Sequence, residues 1–121
     1  MNHRGRRPAR SLPIAALATI GVLALAGAAP APGFAPVPRR HVVEIRGMAF
    51  RPEVLEVRRG DTVVWINRDI VPHTATSSRP SGWNTGPMQQ GDSGRFVPRR
   101  RGEQRYFCQL HPVMLGKLIV R

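Results

Sequence analysis

The sequence contains a single cysteine, Cys108, among its 121 residues. One cysteine cannot form an internal disulfide, so this thiol is spare, forms an intermolecular bridge or binds a metal. Outside the cytoplasm a spare thiol tends to oxidise, whereas a metal-bound thiolate is held in a defined chemical state. In an exported protein we therefore expect Cys108 to be a metal ligand, and a buried, inert cysteine is the alternative.

The sequence also lacks an apolar run long enough for a membrane-spanning helix. Its longest run, residues 12–26, has about 15 residues, and a helix needs roughly 20 to cross a bilayer. Four arginines precede this run and small residues follow it, as in secretory signals. We therefore predict that residues 1–28 are a cleaved signal peptide and that the protein is periplasmic. If the signal were retained as an anchor helix, it would provide the only membrane contact.

Helical periodicity is absent from the rest of the chain. Residues 29–40 are rich in Pro and Ala, which favours an extended, flexible segment. From His41 onward apolar and polar residues alternate with a period of two, as in half-buried strands. About seven strands are predicted: residues 43–46, 55–58, 62–66, 94–97, 103–108 and 116–120, with one more around Trp83 in a loop at 77–94. Residues 41–121 are therefore predicted to form one all-β domain, an antiparallel sandwich.

Four potential metal ligands have the spacing of a single site. Cys108, His111 and Met114 lie at three-residue intervals, and His73 lies far upstream. Two imidazoles and a thiolate in one plane, with a weak axial methionine, suit copper because soft sulfur favours Cu(I) and nitrogen favours Cu(II). Alone, Met114 would be interpreted as core and His73 as an ordinary polar residue. Together the four favour one copper ion that cycles between Cu(I) and Cu(II).

The position of Cys108 in its predicted strand favours an enclosed site. Tyr106 and Cys108 project from the same side of the strand, so Cys108 points inward if Tyr106 packs between the sheets. His111 and Met114 follow in the next turn, and Gly116 allows the chain to bend into the last strand.

Three stretches of the sequence resemble the cupredoxins, the small blue copper proteins. They are residues 60–68 with 72–73, residues 86–88, and residues 108–117. The resemblance implies a Greek-key β-sandwich, a type 1 copper site formed by the four predicted ligands, and one-electron transfer in the periplasm. It also implies that His111 reaches an apolar surface patch and passes the electron there. The candidates for this patch are Pro72, Pro112, Val113 and Met88.

The sequence departs from the cupredoxin pattern beside two of the ligands. Cupredoxins commonly have Asn after the first histidine ligand and Thr or a similar residue after the cysteine, and these side chains tie the two ligand loops together. Here the positions hold Thr74 and Gln109. We expect a swapped pair, in which the Gln109 amide and the Thr74 hydroxyl restore the hydrogen bond.

The predicted function is one-electron transfer by a single copper site. The alternative is a periplasmic copper carrier or buffer that delivers the ion to another protein. An enzyme is not expected, since copper reductases and oxidases of this superfamily need a second domain or further histidines. A short chain with so few histidines does not supply them.

The charge of the sequence is strongly unbalanced. Seven acidic residues stand against 19 basic ones, for a net charge of +12, and the densest run is Arg99–Arg101. Solvated turn charge is one interpretation. The functional one is steering of a redox partner protein with an acidic docking surface. Nucleic acid is not expected as a partner, because no aromatic platform lies among the arginines. The protein is predicted to be a monomer.

Overall fold

The computed structural model describes residues 9–16 and 27–121. These residues form eight strands and no helix, which confirms the all-β prediction. The strands are β1 Arg40–Ile45, β2 Phe50–Arg51, β3 Val54–Val57, β4 Thr62–Asn67, β5 Thr76–Ser77, β6 Ser93–Phe96, β7 Gly102–Phe107 and β8 Leu115–Val120. In the described part of the chain no helix has the length and apolarity that crossing a membrane requires.

All eight strands belong to one compact unit, residues 35–121. The described residues before it, 9–16 and 27–34, are exposed and contain no strand. Most of the predicted signal peptide, residues 1–8 and 17–26, lies outside the described residues.

The strands form two four-stranded sheets, with orders β2-β1-β4-β6 and β3-β8-β7-β5. The predicted sandwich is therefore confirmed. Four of the strand pairs described are antiparallel, but β1 pairs with β4 and β3 with β8 in parallel. The sheets are thus mixed, and period-two alternation could not show this because it identifies a strand's faces and not its direction.

The core lies between the sheets and is centred on aromatic rings. Trp65 of β4 stacks on Trp83 at 5.1 Å between ring centroids and meets the edge of Tyr106 at 5.3 Å. Tyr106 and Cys108 are both buried, which confirms the predicted inward face of β7. Gly116 is required for a different reason from the one predicted, because a Cβ there would collide with the Tyr106 ring.

The strand register defines two opposite ends of the sandwich. At one of them, the ligand end, β4 and β7 finish and β8 begins. His73 and Cys108 follow the first two strands and Met114 precedes the third, so this end collects the predicted ligands. At the opposite end β1, β4 and β7 begin, and β3, β6 and β8 finish.

Two very short strands were not predicted. β2 pairs with β1, and β5 pairs with β7 directly after the His73 segment. In the predicted loop at 77–94, an isolated bridge joins Asn84 to Thr76 of β5. This bridge brings Asn84 to the ligand end.

Candidate metal centre

The side chains of His73, Cys108 and His111 meet at the ligand end. Nδ1 of His73 lies 3.1 Å from Nδ1 of His111, and Sγ of Cys108 lies 3.7 and 3.8 Å from these nitrogens. A point equidistant from the three atoms is about 2.1 Å from each, close to the roughly 2.0 Å and 2.3 Å of metal–nitrogen and metal–sulfur bonds. Three of the four predicted ligands therefore converge on a position that one ion can share.

The fourth predicted ligand, Met114, lies on the same loop. Its side chain is buried, its N–H donates to the carbonyl of His111 at 2.9 Å, and its carbonyl accepts from the N–H of Cys108 at 3.1 Å. These two hydrogen bonds close the ligand loop on itself. A buried thioether on the ligand loop is compatible with a fourth ligand, and this role of Met114 stays a prediction.

A carboxylate orients the ring of His73. Nε2 of His73 lies 2.9 Å from Oδ2 of Asp69. An ionised carboxylate only accepts hydrogen bonds, so the proton is on Nε2 and the lone pair of Nδ1 faces Cys108 and His111. This is the tautomer that binds a metal through Nδ1. Asp69 is absent from the predicted site residues, because its contact with His73 depends on the turn after β4, and a four-residue spacing indicates a contact only in a helix.

Asp69 is in turn held by backbone groups of the turn after β1. The N–H groups of Gly47 and Met48 donate to its two oxygens at 2.7 and 2.9 Å. Burial alone would raise the pKa of Asp69, but the hydrogen bonds from Met48, Gly47 and His73 outweigh burial and lower that pKa below its ordinary value of 3.8. The carboxylate is therefore ionised at neutral pH, as the tautomer of His73 requires.

The sulfur of Cys108 receives one backbone hydrogen bond. The N–H of Thr74 donates to Sγ at 3.3 Å, and the cysteine is fully buried. A donor aimed at a thiolate stabilises its negative charge and draws electron density away from a bound metal.

Thr74 and Gln109 are joined, but not in the way predicted. The backbone N–H of Gln109, and not its side-chain amide, donates to Oγ1 of Thr74 at 2.9 Å. The amide of Gln109 instead accepts a hydrogen bond from Nδ2 of Asn84 at 3.1 Å. The prediction of a direct amide–hydroxyl pair is therefore wrong, because the Gln109 amide is hydrogen-bonded to Asn84.

These contacts form a ring whose hydrogen-bond direction can be assigned. Oδ1 of Asn84 accepts from the backbone N–H of Gly86 at 2.8 Å, which fixes the amide orientation, and it also accepts from Oγ1 of Thr76 at 3.1 Å. Since the Thr76 hydroxyl has one proton, the 2.9 Å contact between Thr76 and Thr74 must be donated by Thr74. Each member therefore donates to the next, in the order Gln109, Thr74, Thr76, Asn84 and back to Gln109.

Exposed apolar side chains occur in both loops that carry the ligands, and His111 itself is half-buried. Leu110 and Val113 flank it in sequence and are 48% and 88% exposed, and Ile70 in the His73 segment is 84% exposed. Pro112 is also exposed. Met88, a candidate for this patch, is buried at 2% because its backbone pairs with His73 and carries the side chain into the core.

The other described histidine, His41, lies at the opposite end of the sandwich. Its Nε2 is 2.9 Å from Oδ2 of Asp61. It therefore does not compete for the metal position, in agreement with its exclusion from the predicted ligands.

No family model matches the chain. Among curated proteins it is similar to amicyanin from Paracoccus denitrificans, with 34% identity over 65% of this chain and 63% of the relative. It is also similar to amicyanin-alpha from Methylorubrum extorquens, with 30% identity over 64% of this chain and 69% of the relative. The chain thus spans less than two thirds of the length of the first of these relatives.

The fold is also similar to that of a solved cupredoxin structure. The purple cupredoxin from Nitrosopumilus maritimus superposes with a TM-score of 0.64 and 28% sequence identity, over 67% of this chain and 99% of that one. The similarity in sequence and the similarity in fold therefore agree, and the matched part of the chain has the size of that whole domain.

Proposed function

Because the chain belongs to the cupredoxins, we propose that it carries single electrons in the periplasm, using one copper ion held by His73, Cys108 and His111. Met114 would provide the fourth, weaker ligand. The observation that carries the proposal is the convergence of two imidazole nitrogens and one sulfur on a single position. When bound, copper supplies the change between Cu(I) and Cu(II), and this donor set suits both states.

The protein holds the donor atoms in place with groups outside the site. Asp69 fixes the ring of His73, and the Thr74 N–H fixes the sulfur of Cys108. Both positions are anchored to the ends of rigid strands. An electron carrier benefits from this arrangement, because donor atoms that do not move between oxidation states keep the reorganisation energy of transfer small.

His111 is the proposed route of the electron to a partner protein. Of the three converging residues only His111 is partly exposed, and its neighbours in the sequence, Leu110, Pro112 and Val113, are exposed apolar residues. An apolar contact without fixed charges suits a redox partner that must bind and leave rapidly. The protein is proposed to work there as a monomer.

The acidic docking surface on that partner stays a prediction. The net charge of +12 supports attraction of an acidic protein over a distance. At the ligand end itself, however, Arg46 and Arg68 both pair with Glu44, at 2.9 and 3.7 Å. The contact around His111 is therefore expected to depend more on apolar area than on ion pairs.

Delivery of copper to another protein is the competing function. A delivery site has to release its ion readily, whereas His73 and Cys108 are fully buried. An enclosed site favours electron transfer over exchange. Neither function requires a substrate pocket, so we do not propose an enzyme.

The experiment is an optical spectrum of the copper-loaded protein before and after Cys108→Ser. We expect an intense band near about 600 nm from copper–thiolate charge transfer, and its loss in the variant. The companion measurement is the rate at which a chelator removes Cu(I). A colourless protein that yields its copper within seconds would support delivery and contradict electron transfer.

A further inference from the structure

The end of the sandwich opposite the metal centre carries a dense cluster of arginines. Hydrogen bonds join the backbone segments there: the N–H of Thr62 donates to the carbonyl of Arg39, that of Gly60 to Pro98, and that of Arg59 to Arg121, at 2.8 to 3.0 Å. This arginine end contains Arg39, Arg40, Arg58, Arg59, Arg99, Arg100, Arg101 and Arg121, all exposed.

These arginines have few carboxylates to pair with. Asp61 is 3% exposed, and its oxygens are occupied by two backbone N–H groups and His41. Glu56 pairs with Arg121. Among the described residues none of the other seven guanidinium groups has a carboxylate within 4 Å, so the end has an excess of about six positive charges.

The arginine end offers much charge and little apolar surface. In the folded unit most of the exposed large apolar side chains lie at the ligand end, among them Ile70, Val113 and Leu115, whereas Val37 is exposed near the arginine end. Protein–protein contacts depend on a core of buried aromatic or aliphatic side chains, and among the described residues of the arginine end Val37 does not by itself provide one. Guanidinium groups on four separate chain segments suit a surface of repeated phosphate groups, where each can bind its own phosphate.

The chain also reaches β1 at this end. Residues 35–38 lead directly into the arginines, and Val37 among them is 82% exposed. The chain therefore enters the folded unit at the arginine end. We propose that the arginine end binds the phosphate groups of an anionic phospholipid surface. Bound in this way, the protein presents the opposite, ligand end to its redox partner.

The proposal goes beyond electron transfer and does not depend on copper. The test uses the full chain without metal and measures its binding to vesicles of phosphatidylcholine alone or with about 30% phosphatidylglycerol. The ratio of the two affinities is the readout, because the apolar run at residues 12–26 contributes to binding on both kinds of vesicle.

Two variants of equal net charge locate the binding surface. One replaces Arg99, Arg100 and Arg101 by Gln at the arginine end. The control replaces Arg46, Arg51 and Arg68 by Gln near the ligand end. We expect the first to lower the preference for anionic vesicles by about tenfold or more, and the control by less than about twofold.

Three results would overturn the proposal. If the preference for anionic vesicles falls equally in both variants, net charge alone explains binding and the arginine end is not a site. If the unchanged chain shows no preference for anionic vesicles, lipid is not its partner. If it binds immobilised polyglutamate through Arg99–Arg101 but does not prefer anionic vesicles, the surface recognises an acidic protein. The proposal is supported if only the first variant loses the preference for anionic vesicles, and if high salt abolishes that preference in the unchanged chain.

Discussion

The two ends of the sandwich contain the same Asp–His arrangement with different outcomes. Asp61 and Asp69 each accept hydrogen bonds from two backbone N–H groups and lie 2.9 Å from Nε2 of a histidine. His73 is fully buried and turns its other nitrogen towards Cys108, whereas the side chain of His41 is 23% exposed. The carboxylate therefore orients a ligand at one end and only joins loops at the other.

A metal site therefore needs several donor atoms that converge on one position, and not merely an oriented histidine. At the ligand end three donors from two loops share one position. At the arginine end, the described neighbours of the Asp–His pair include three arginines, which cannot bind a cation, and Glu56, whose carboxylate pairs with Arg121. The same local device therefore serves metal binding only where the fold brings a thiolate to it.

The largest expected effect is that of removing the histidine of the ligand-end pair, His73. His73→Ala removes a planar donor, so copper affinity is expected to fall by more than about a hundredfold, since even outer groups contribute ten- to a hundredfold. The visible band should disappear. Copper titration of the apo protein, followed by absorbance, measures both.

His41→Ala is the matched control, because it removes the corresponding ring at the other end. It is expected to leave copper affinity and the band unchanged. If His41→Ala weakened copper binding as much as His73→Ala does, the two pairs would not differ in the way the structure indicates.

The second prediction concerns the stability provided by Asp61. Burial would raise its pKa, but hydrogen bonds from the backbone of Arg39 and Arg58 and from His41 outweigh burial and lower that pKa from 3.8 to about 2. A lowered pKa stabilises the fold above pH 3.8, and this stability is lost as the pH falls towards 2. The loss is expected to be about 2 kcal/mol in the free energy of unfolding.

Denaturant unfolding of the apo protein at several pH values measures this loss. Asp61→Asn should lower stability near neutral pH and make the decline between pH 3.8 and about 2 shallower, while the other carboxylates with lowered pKa, such as Asp69, keep their share of it. The exposed Asp92 provides the control, since Asp92→Asn should leave the decline in place. An unchanged pH profile in Asp61→Asn would show that the stabilising carboxylate is elsewhere.

The third prediction applies a similar change to the ligand end. Asp69→Asn removes the charge that fixes the proton of His73 on Nε2, so copper affinity is expected to fall by about ten- to a hundredfold with a shifted reduction potential. Asp61→Asn is the matched control and should leave both unchanged. An unaltered potential in Asp69→Asn would mean that packing alone orients His73.

Much of the ligand end could be predicted from the sequence. The spacing of Cys108, His111 and Met114 depends only on local geometry. The same is true of the shared strand face of Tyr106 and Cys108, and the structure confirms that the side chains of Tyr106 and Cys108 are buried. The convergence of His73 with Cys108 and His111 also agrees with the predicted set. What these features have in common is that each follows from one segment or from the chemistry of the donors.

Other features depend on contacts between distant segments and could not be predicted in this way. The parallel pairing of β1 with β4 and the burial of Met88 arise from the packing of the sheets. The position of Arg99–Arg101 opposite the metal centre follows from strand direction, which the charge pattern does not contain. Asn84 reaches Gln109 only because β5 forms.

The smallest expected effect concerns the ring around the cysteine loop. Asn84 and Gln109 are exposed, so each substitution by Ala is expected to cost only about 1 kcal/mol of unfolding free energy. Because both residues belong to one closed ring, the double variant should cost less than the two single changes together. Gln89→Ala, on the same surface loop, is the control and should add independently. Additive costs for Asn84 and Gln109 would mean that the ring does not act as a unit. In that case the backbone hydrogen bond from Gln109 to Thr74 would hold the two ligand loops together without the ring.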